Sequence, residues 1–256
     1  MQERLTCTRP HWTRSELWTQ SLPGMRWQWL SRTITRSTLL LRRRRILSVE
    51  GAEHVATDRG PFIFVANHSQ RTEALVVPCI LAFLRGGRQV HFLADWNFAL
   101  IPPIGVIYWC GGTILLTRKS AKPAFLNVFK PLFTRKSTGF DRARERLAQG
   151  DCVGVYPEGT VNRRHDRLLK GYSGAARLSL ETGVPVVPAG ITFPGYTGVR
   201  PIEERAPMRL AIGPALEPGP PRPRAGLAEV RDWHATVMNH IAGLSGKAWS
   251  ADSTRR

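Results

Sequence analysis

Pro61-Phe62-Ile63-Phe64-Val65-Ala66-Asn67-His68-Ser69-Gln70-Arg71-Thr72-Glu73 begins as a buried strand and ends as the first turn of a helix. The apolar run up to Ala66 is short and rich in β-formers. From Glu73 to Leu84 the chain is mostly Ala, Leu, Val, Ile and Phe, long enough for a buried helix. A histidine and a carboxylate thus sit five positions apart where strand hands over to helix. On one helix they would point about 140° apart at ~3.6 residues per turn. They meet only if His68 lies on the turn and Glu73 in the first helical turn. In that arrangement Glu73 accepts the protonated ring nitrogen of His68 and leaves the other nitrogen as a base. Taken alone, such a pair is more often a polar group satisfied by its own turn.

Working outward, strand and helix alternate from about residue 46 to 191. Predicted helices cover Thr138–Gln149 (Phe140, Ala143 and Leu147 inward) and Gly171–Thr182. Predicted strands cover Thr113–Thr117, Cys152–Tyr156 and the stretch from Val184. This alternation predicts an α/β fold, a largely parallel central sheet flanked by helices. Phe98 to Leu116 is uncharged and nearly long enough to span a bilayer, but Pro102-Pro103 and Gly111-Gly112 interrupt it. It reads as a buried helix or loop, a turn and a strand. Eight prolines fall between Pro194 and Pro223, and Met208–Ile212 is the one strand expected there. A last helix, Gly226 to about Leu244, carries Leu227, Val230, Val237 and Ile241 on one stripe, and Ser250–Arg256 reads as disordered. The organisation is therefore residues 1–45, a basic amphipathic segment; 46–215, the α/β domain; and 216–256, a Pro-rich connector, helix and tail.

The formal charge is +18, from 37 Lys plus Arg against 19 Asp plus Glu, which calls for an anionic partner. Residues 1–50 hold ten Arg and no Lys, interleaved with Trp12, Trp18, Trp27 and Trp29. On a single helix over Ser15–Arg45, Trp27, Leu30, Ile34 and Leu41 share a sector roughly 60° wide, with Arg32 and Arg36 opposite. Such a helix suits an anionic membrane surface; packing on the domain is the alternative. Nucleic acid is a competing class of partner, but no recognition-helix or aromatic-sheet motif accompanies the charge, so none is expected. Cys79, Cys110 and Cys152 lie in apolar runs and read as buried free thiols. No His/Cys spacing suggests a metal.

Four stretches stand in order: Asn67-His68-Ser69 with Glu73; Gly112 to Arg118; Tyr156-Pro157-Glu158-Gly159-Thr160; and Val184-Pro185-Val186-Val187-Pro188. In order and spacing they resemble the glycerolipid acyltransferases, the family of 1-acyl-glycerol-3-phosphate acyltransferase. That family carries Asn-His-x-x-x-x-Asp, a Gly-to-Arg block, Phe-Pro-Glu-Gly-Thr and Val-Pro-x-x-Pro. The resemblance implies a membrane-bound O-acyltransferase, for groups other than aminoacyl, on the cytoplasmic face. It would move a fatty acyl group from acyl-CoA or acyl carrier protein to a lysophospholipid hydroxyl, with no cofactor. His68 would be the base and Glu73 its orienting acid. Asn67, Gly112, Arg118, Glu158, Gly159 and Thr160 would bind substrate, Arg118 at the acceptor's phosphate. An aminolipid or glycolipid acceptor is the rival within the family. Gly171-Tyr172-Ser173-Gly174-Ala175 misses the nucleophile-elbow pattern, so direct attack without an acyl-enzyme is expected. Three positions depart from the family pattern: Glu73 for Asp, Asp95 where a lysine is usual, and Val161 where an arginine is common.

Overall fold

The computed structural model describes residues 12–25, 28–121, 123–134, 136–196 and 200–252. Its helices are α1 (Arg14–Thr19), α2 (Gln28–Arg42), α3 (Glu73–Leu84), α4 (Pro102–Cys110), α5 (Lys130–Phe133), α6 (Gly139–Ala148), α7 (Gly174–Thr182) and α8 (Leu227–Ser245). The strands are β1 (Ile46–Glu50), β2 (Ile63–Ala66), β3 (Val90–Asp95), β4 (Ile114–Leu116), β5 (Cys152–Val155), β6 (Val186–Thr192) and β7 (Met208–Ile212). They form one sheet in the order β1-β7-β6-β2-β5-β3-β4, in which β6 and β7 alone pair antiparallel.

β2 is central and buried at every position because both faces are covered. Phe62, Phe64 and Ala66 point into the core with α3, whereas Ile63 and Val65 point into the core with α6, α7 and α8. The chain leaves β2 through α3 on one face and leaves the adjacent β5 through α7 on the other. That divergence makes the carboxyl ends of β2 and β5 a topological switch point, the usual ligand position in an open α/β sheet.

Two expectations are corrected at the ends of the chain. The single helix over 15–45 is two helices, broken by a turn at Pro23-Gly24. α2 lies on α3, with Ser31, Thr35 and Leu39 as its buried line, while Leu41 is exposed. Arg32 and Arg36 donate to the carbonyls of Leu22 and Gln20 and fasten the connector; Trp27 lies outside the described residues. At the other end, α8 packs directly on β6: a β-carbon at Gly190 would come 2.2 Å from Leu244. α8 thus contributes Val230, Val237, Met238 and Ile241 to the domain's core and is not an appendage. Within α8, Val230, Val237 and Ile241 are buried as expected, but Leu227 is exposed. Residues 253–256 of the expected tail lie outside the described residues.

The stretch over 98–116 has the expected order: α4, a turn at Gly111-Gly112, then β4. It is only partly buried, however: Tyr108, Cys110 and Ile114 face inward, whereas Phe98, Ile101, Val106 and Trp109 are exposed. Cys79, Cys110 and Cys152 are buried free thiols.

Two histidines couple this fold to pH. His91 on β3 donates from Nδ1 to the Gly112 carbonyl at 2.9 Å, and His234 on α8 donates from Nε2 to the Lys170 carbonyl at 3.0 Å. Burial pulls both below the ordinary 6.5. The folded chain therefore binds fewer protons than the unfolded chain below pH 6.5. Their stabilising contribution is complete above that value and drains as pH falls through the folded values. Urea midpoints should be flat from pH 7 to 8 and decline just below 6.5, and His234→Gln should make that decline shallower.

Candidate active site

The geometry at the carboxyl end of β2 follows from the handover read in the sequence. His68 sits on the turn and Glu73 is the first residue of α3, where the helix dipole favours a carboxylate. His68 Nδ1 lies 2.8 Å from Glu73 Oε2, and the same oxygen accepts the Ser69 amide at 2.7 Å. Glu73 is fully buried, whereas the His68 side chain keeps 12% of its surface. With Nδ1–H committed to the acid, Nε2 is the nitrogen left to act. The Tyr156 ring stacks on the imidazole, centroids 4.4 Å apart and 22° from parallel. Its hydroxyl donates to the Glu73 carbonyl, and burial holds that phenol well above its ordinary range. One oxygen of the acid and one ring face thus fix the imidazole.

Glu158, at the carboxyl end of the neighbouring β5, turns inward. Its Oε1 accepts the His68 amide (3.2 Å), and its Oε2 accepts Asn162 Nδ2 (2.6 Å) and the Leu169 amide (2.9 Å). Asn162 also donates its own amide to the His68 carbonyl at 2.7 Å. Burial raises the Glu158 carboxyl, while these donors and the Lys247 charge pull it back. Its role is to hold the backbone of His68 from below.

Arg118 emerges from the carboxyl end of β4, exposed and without a hydrogen-bond or ion-pair partner among the described residues. Beside it, Lys119 Nζ bridges Asp95 Oδ2 and the Gly159 carbonyl, each at 3.0 Å. The acid at Asp95 is thus neutralised by Lys119, which joins the carboxyl ends of β3 and β4 to the Glu158-Gly159-Thr160 turn. Gly159 has φ +63°, and a β-carbon there would lie 2.7 Å from the Tyr172 ring. Thr160 is exposed at the rim. His68, Glu73, Glu158, Gly159, Thr160 and Arg118 therefore gather at one end of the sheet.

Two expected substrate ligands do not. Asn67 is fully buried, and its carboxamide pairs with the Ile191 backbone, Nδ2 to the carbonyl at 3.0 Å and Oδ1 from the amide at 2.7 Å. It mimics a peptide unit and clamps β2 to β6, so no polar atom of its side chain is left for a ligand. Gly112 precedes β4 level with His91, at the opposite end of that strand from Arg118, which lies six positions on and at most about 20 Å away. Its φ of +59°, and a β-carbon position 2.5 Å from His91 Nδ1, explain the glycine there. The amides at the start of α3 are also occupied: those of Glu73, Ala74, Leu75 and Val76 bond to carbonyls of residues 70–72.

The site holds a residue that sequence reasoning missed. Lys247, just past the end of α8, is 4% exposed and donates to Ser69 Oγ at 2.8 Å and to the Arg164 carbonyl at 2.6 Å. Nothing local marks it; it lies 178 positions from Ser69.

Comparison with known proteins agrees with this geometry. The Acyltransferase family model matches residues 46–192, more than half of the chain. A chloroplastic 1-acyl-sn-glycerol-3-phosphate acyltransferase of Brassica napus is 27% identical over 153 residues, 60% of this chain and 38% of that one. The 1-acyl-sn-glycerol-3-phosphate acyltransferase of Haemophilus influenzae is 25% identical over 126 residues, 49% of this chain and 45% of that one. The match thus spans less than half the length of these curated relatives. The crystal structure of the 1-acyl-sn-glycerophosphate acyltransferase PlsC from Thermotoga maritima superposes with a TM-score of 0.55 at 22% identity, covering 86% of this chain and 80% of that one. It shares the fold. With the His68–Glu73 pair, the inward Glu158 and the matched stretch in one frame, the chain belongs to the Acyltransferase family.

Proposed function

We propose that this chain is an O-acyltransferase that moves a fatty acyl group from acyl-CoA or acyl carrier protein to the free hydroxyl of a lysophospholipid. The observation that carries this reading is the His68 imidazole, locked by Nδ1 onto a buried carboxylate and left with Nε2 free. Nε2 takes the hydroxyl proton as the alcohol oxygen attacks the thioester carbonyl. The C–S bond then breaks, and the thiol leaves as thiolate or takes the proton from the imidazolium. Glu73 stabilises that imidazolium. Arg118, unpaired at the mouth, suits the acceptor's phosphate, and Lys119, by neutralising Asp95, relieves the repulsion that acid would exert. Ser69 supports direct attack over an acyl-enzyme: it is fully buried and its oxygen is held by Lys247. Purified protein given a radiolabelled acyl thioester and a panel of lyso-lipids should label an anionic lysophospholipid. Label retained covalently on denatured protein would refute direct attack, and no labelled lipid at all would refute the reading.

A membrane surface is the natural place for this chemistry. Among the described residues no helix is long and apolar enough to cross a bilayer. Of thirteen strongly exposed large hydrophobic side chains described, eight lie between Phe98 and Leu132. They include Val106 and Trp109 of α4, and Phe125, Val128 and Leu132 around α5. This segment is tied to the site: Trp96 donates to the Lys119 carbonyl at 3.0 Å and packs on Phe133. The segment docks on lipid, and Arg14, Arg43 and Arg44, which line a groove of about 530 Å³ with Trp18 and Leu41, face anionic headgroups on the cytoplasmic side. Exchanging Phe125, Val128 and Leu132 together for serine should weaken binding to anionic vesicles at least about tenfold and leave the melting temperature unchanged. Unaltered vesicle binding would remove this segment from the contact.

A further inference from the structure

We infer that Lys247 is a positioning residue of the active site, a buried cation that balances Glu73 and Glu158 and so sets the charge state in which His68 works. The inference rests on the acyl-transfer reading for its kinetic consequence, but the hydrogen-bond chain from Lys247 through Ser69 to Glu73 stands on the structure alone. The chain reaches this point because α8 lies against β6 and ends at Gly246, whose φ of +64° stops the helix. Residue 248 then bridges to residue 167 as an isolated β-pair, which pins the backbone on both sides of the lysine. The ammonium is thereby delivered from behind into the turn that carries the imidazole.

Three acids face it. Glu73 comes from α3, Glu158 from the carboxyl end of β5, and Asp166 from the loop that follows. Asp166 is only lightly buried and already paired with Arg164 and Arg167, so the buried acids are the two that touch His68. Glu73 bonds the ring nitrogen, Glu158 bonds the main-chain amide, and Tyr156 stacks on the ring as a neutral phenol. An imidazolium is no base, and a fixed cation nearby opposes protonation of the ring. Ser69 transmits it sterically as well: its oxygen is held by Lys247 and its amide by Glu73 Oε2, so one residue joins the lysine to the acid of the pair. Burial lowers the lysine's own proton affinity, while Glu158 and Glu73 restore it.

A strut and a charge balance make different predictions. Lys247→Gln keeps hydrogen-bonding ability and removes the charge; Lys247→Arg keeps the charge; Lys247→Met removes both. In Lys247→Gln, the acidic limb of the kcat/KM profile should move to higher pH by about one unit. At neutral pH kcat should fall about tenfold or more, with KM changed by less than about threefold. Lys247→Arg should restore the limb to its wild-type position. Histidine-ring NMR supplies a readout without substrate. The His68 ring resonance, assigned by its loss in His68→Gln, should titrate at higher pH in Lys247→Gln than in the wild type. Acid limbs and ring titrations that superpose in Lys247→Gln and wild type would make the lysine a strut and overturn the inference. If Lys247→Met does not fold, Gln and Arg still decide between the two. A wild-type protein that acylates no lyso-lipid would refute the acyl-transfer reading, and the NMR titration would still test the charge coupling.

Discussion

His68→Ala should lose at least about a thousandfold in kcat/KM for acyl transfer, the scale of a positioned general base, measured at a temperature where the variant is folded. The ring stacks on Tyr156 and donates to the buried Glu73 carboxylate, so its removal also lowers the melting temperature. Glu73 separates orientation from charge. Both donors that reach it, Ser69 N and His68 Nδ1, converge on Oε2, and the buried Oε1 has no partner among the described residues. In Glu73→Gln the amide oxygen can take the Oε2 position and satisfy both donors. That variant keeps the imidazole's tautomer and direction and removes only the negative charge behind it, for an expected loss of about tenfold to a hundredfold. Glu73→Ala loses both and should approach His68→Ala. Glu73→Asp keeps the charge on a side chain one methylene shorter, which cannot span the 2.8 Å contact without moving the helix, so about a tenfold loss is expected. The order Asp, Gln, Ala in increasing damage identifies an orienting acid. His68→Ala with more than a tenth of wild-type activity would remove the histidine from the role of base.

What could be read from residues alone was what adjacent positions determine. The strand-to-turn-to-helix handover is local, and α3 runs over the predicted Glu73–Leu84. The meeting of His68 and Glu73 was a consequence of helical periodicity. β7 over Met208–Ile212 also follows from its own composition. What was not legible depends on partners far along the chain. Asn67 reads as a polar residue beside a catalytic one, and only the approach of Ile191, 124 positions on, makes it a clamp. Lys247 reads as an ordinary charge after a helix, and only the docking of α8 on β6 brings it beneath Ser69. Between Pro102 and Trp109 the hydrophobicity was read correctly and the burial was not: Val106 and Trp109 are exposed. Composition alone does not say which faces of an apolar helix the rest of the chain covers.

The largest expected effect on stability belongs to Glu158→Ala. It leaves three buried donors, His68 N, Leu169 N and Asn162 Nδ2, without their acceptor. Each unsatisfied buried donor costs about 1–3 kcal/mol, so a loss of about 3 kcal/mol or more is expected, a large share of the ~5–15 kcal/mol that holds a domain folded. Glu158→Gln tests the assignment more finely. Two donors meet Oε2 and one meets Oε1, so the glutamine oxygen takes the Oε2 side, and its NH2 group then opposes the His68 amide. That variant should be destabilised by less, on the order of 1–2 kcal/mol, yet lose activity well beyond its loss of folded protein, because the displaced group is the backbone that aims the imidazole. Measured by urea denaturation beside kcat at a temperature where both variants are folded, a Glu158→Ala cost below about 1 kcal/mol would show that the carboxylate does not support the turn. A substrate contact alone would lower activity in both variants and leave both denaturation curves on the wild type. The inward hydrogen bonds predict instead that activity and stability fall together in Glu158→Ala and part company in Glu158→Gln.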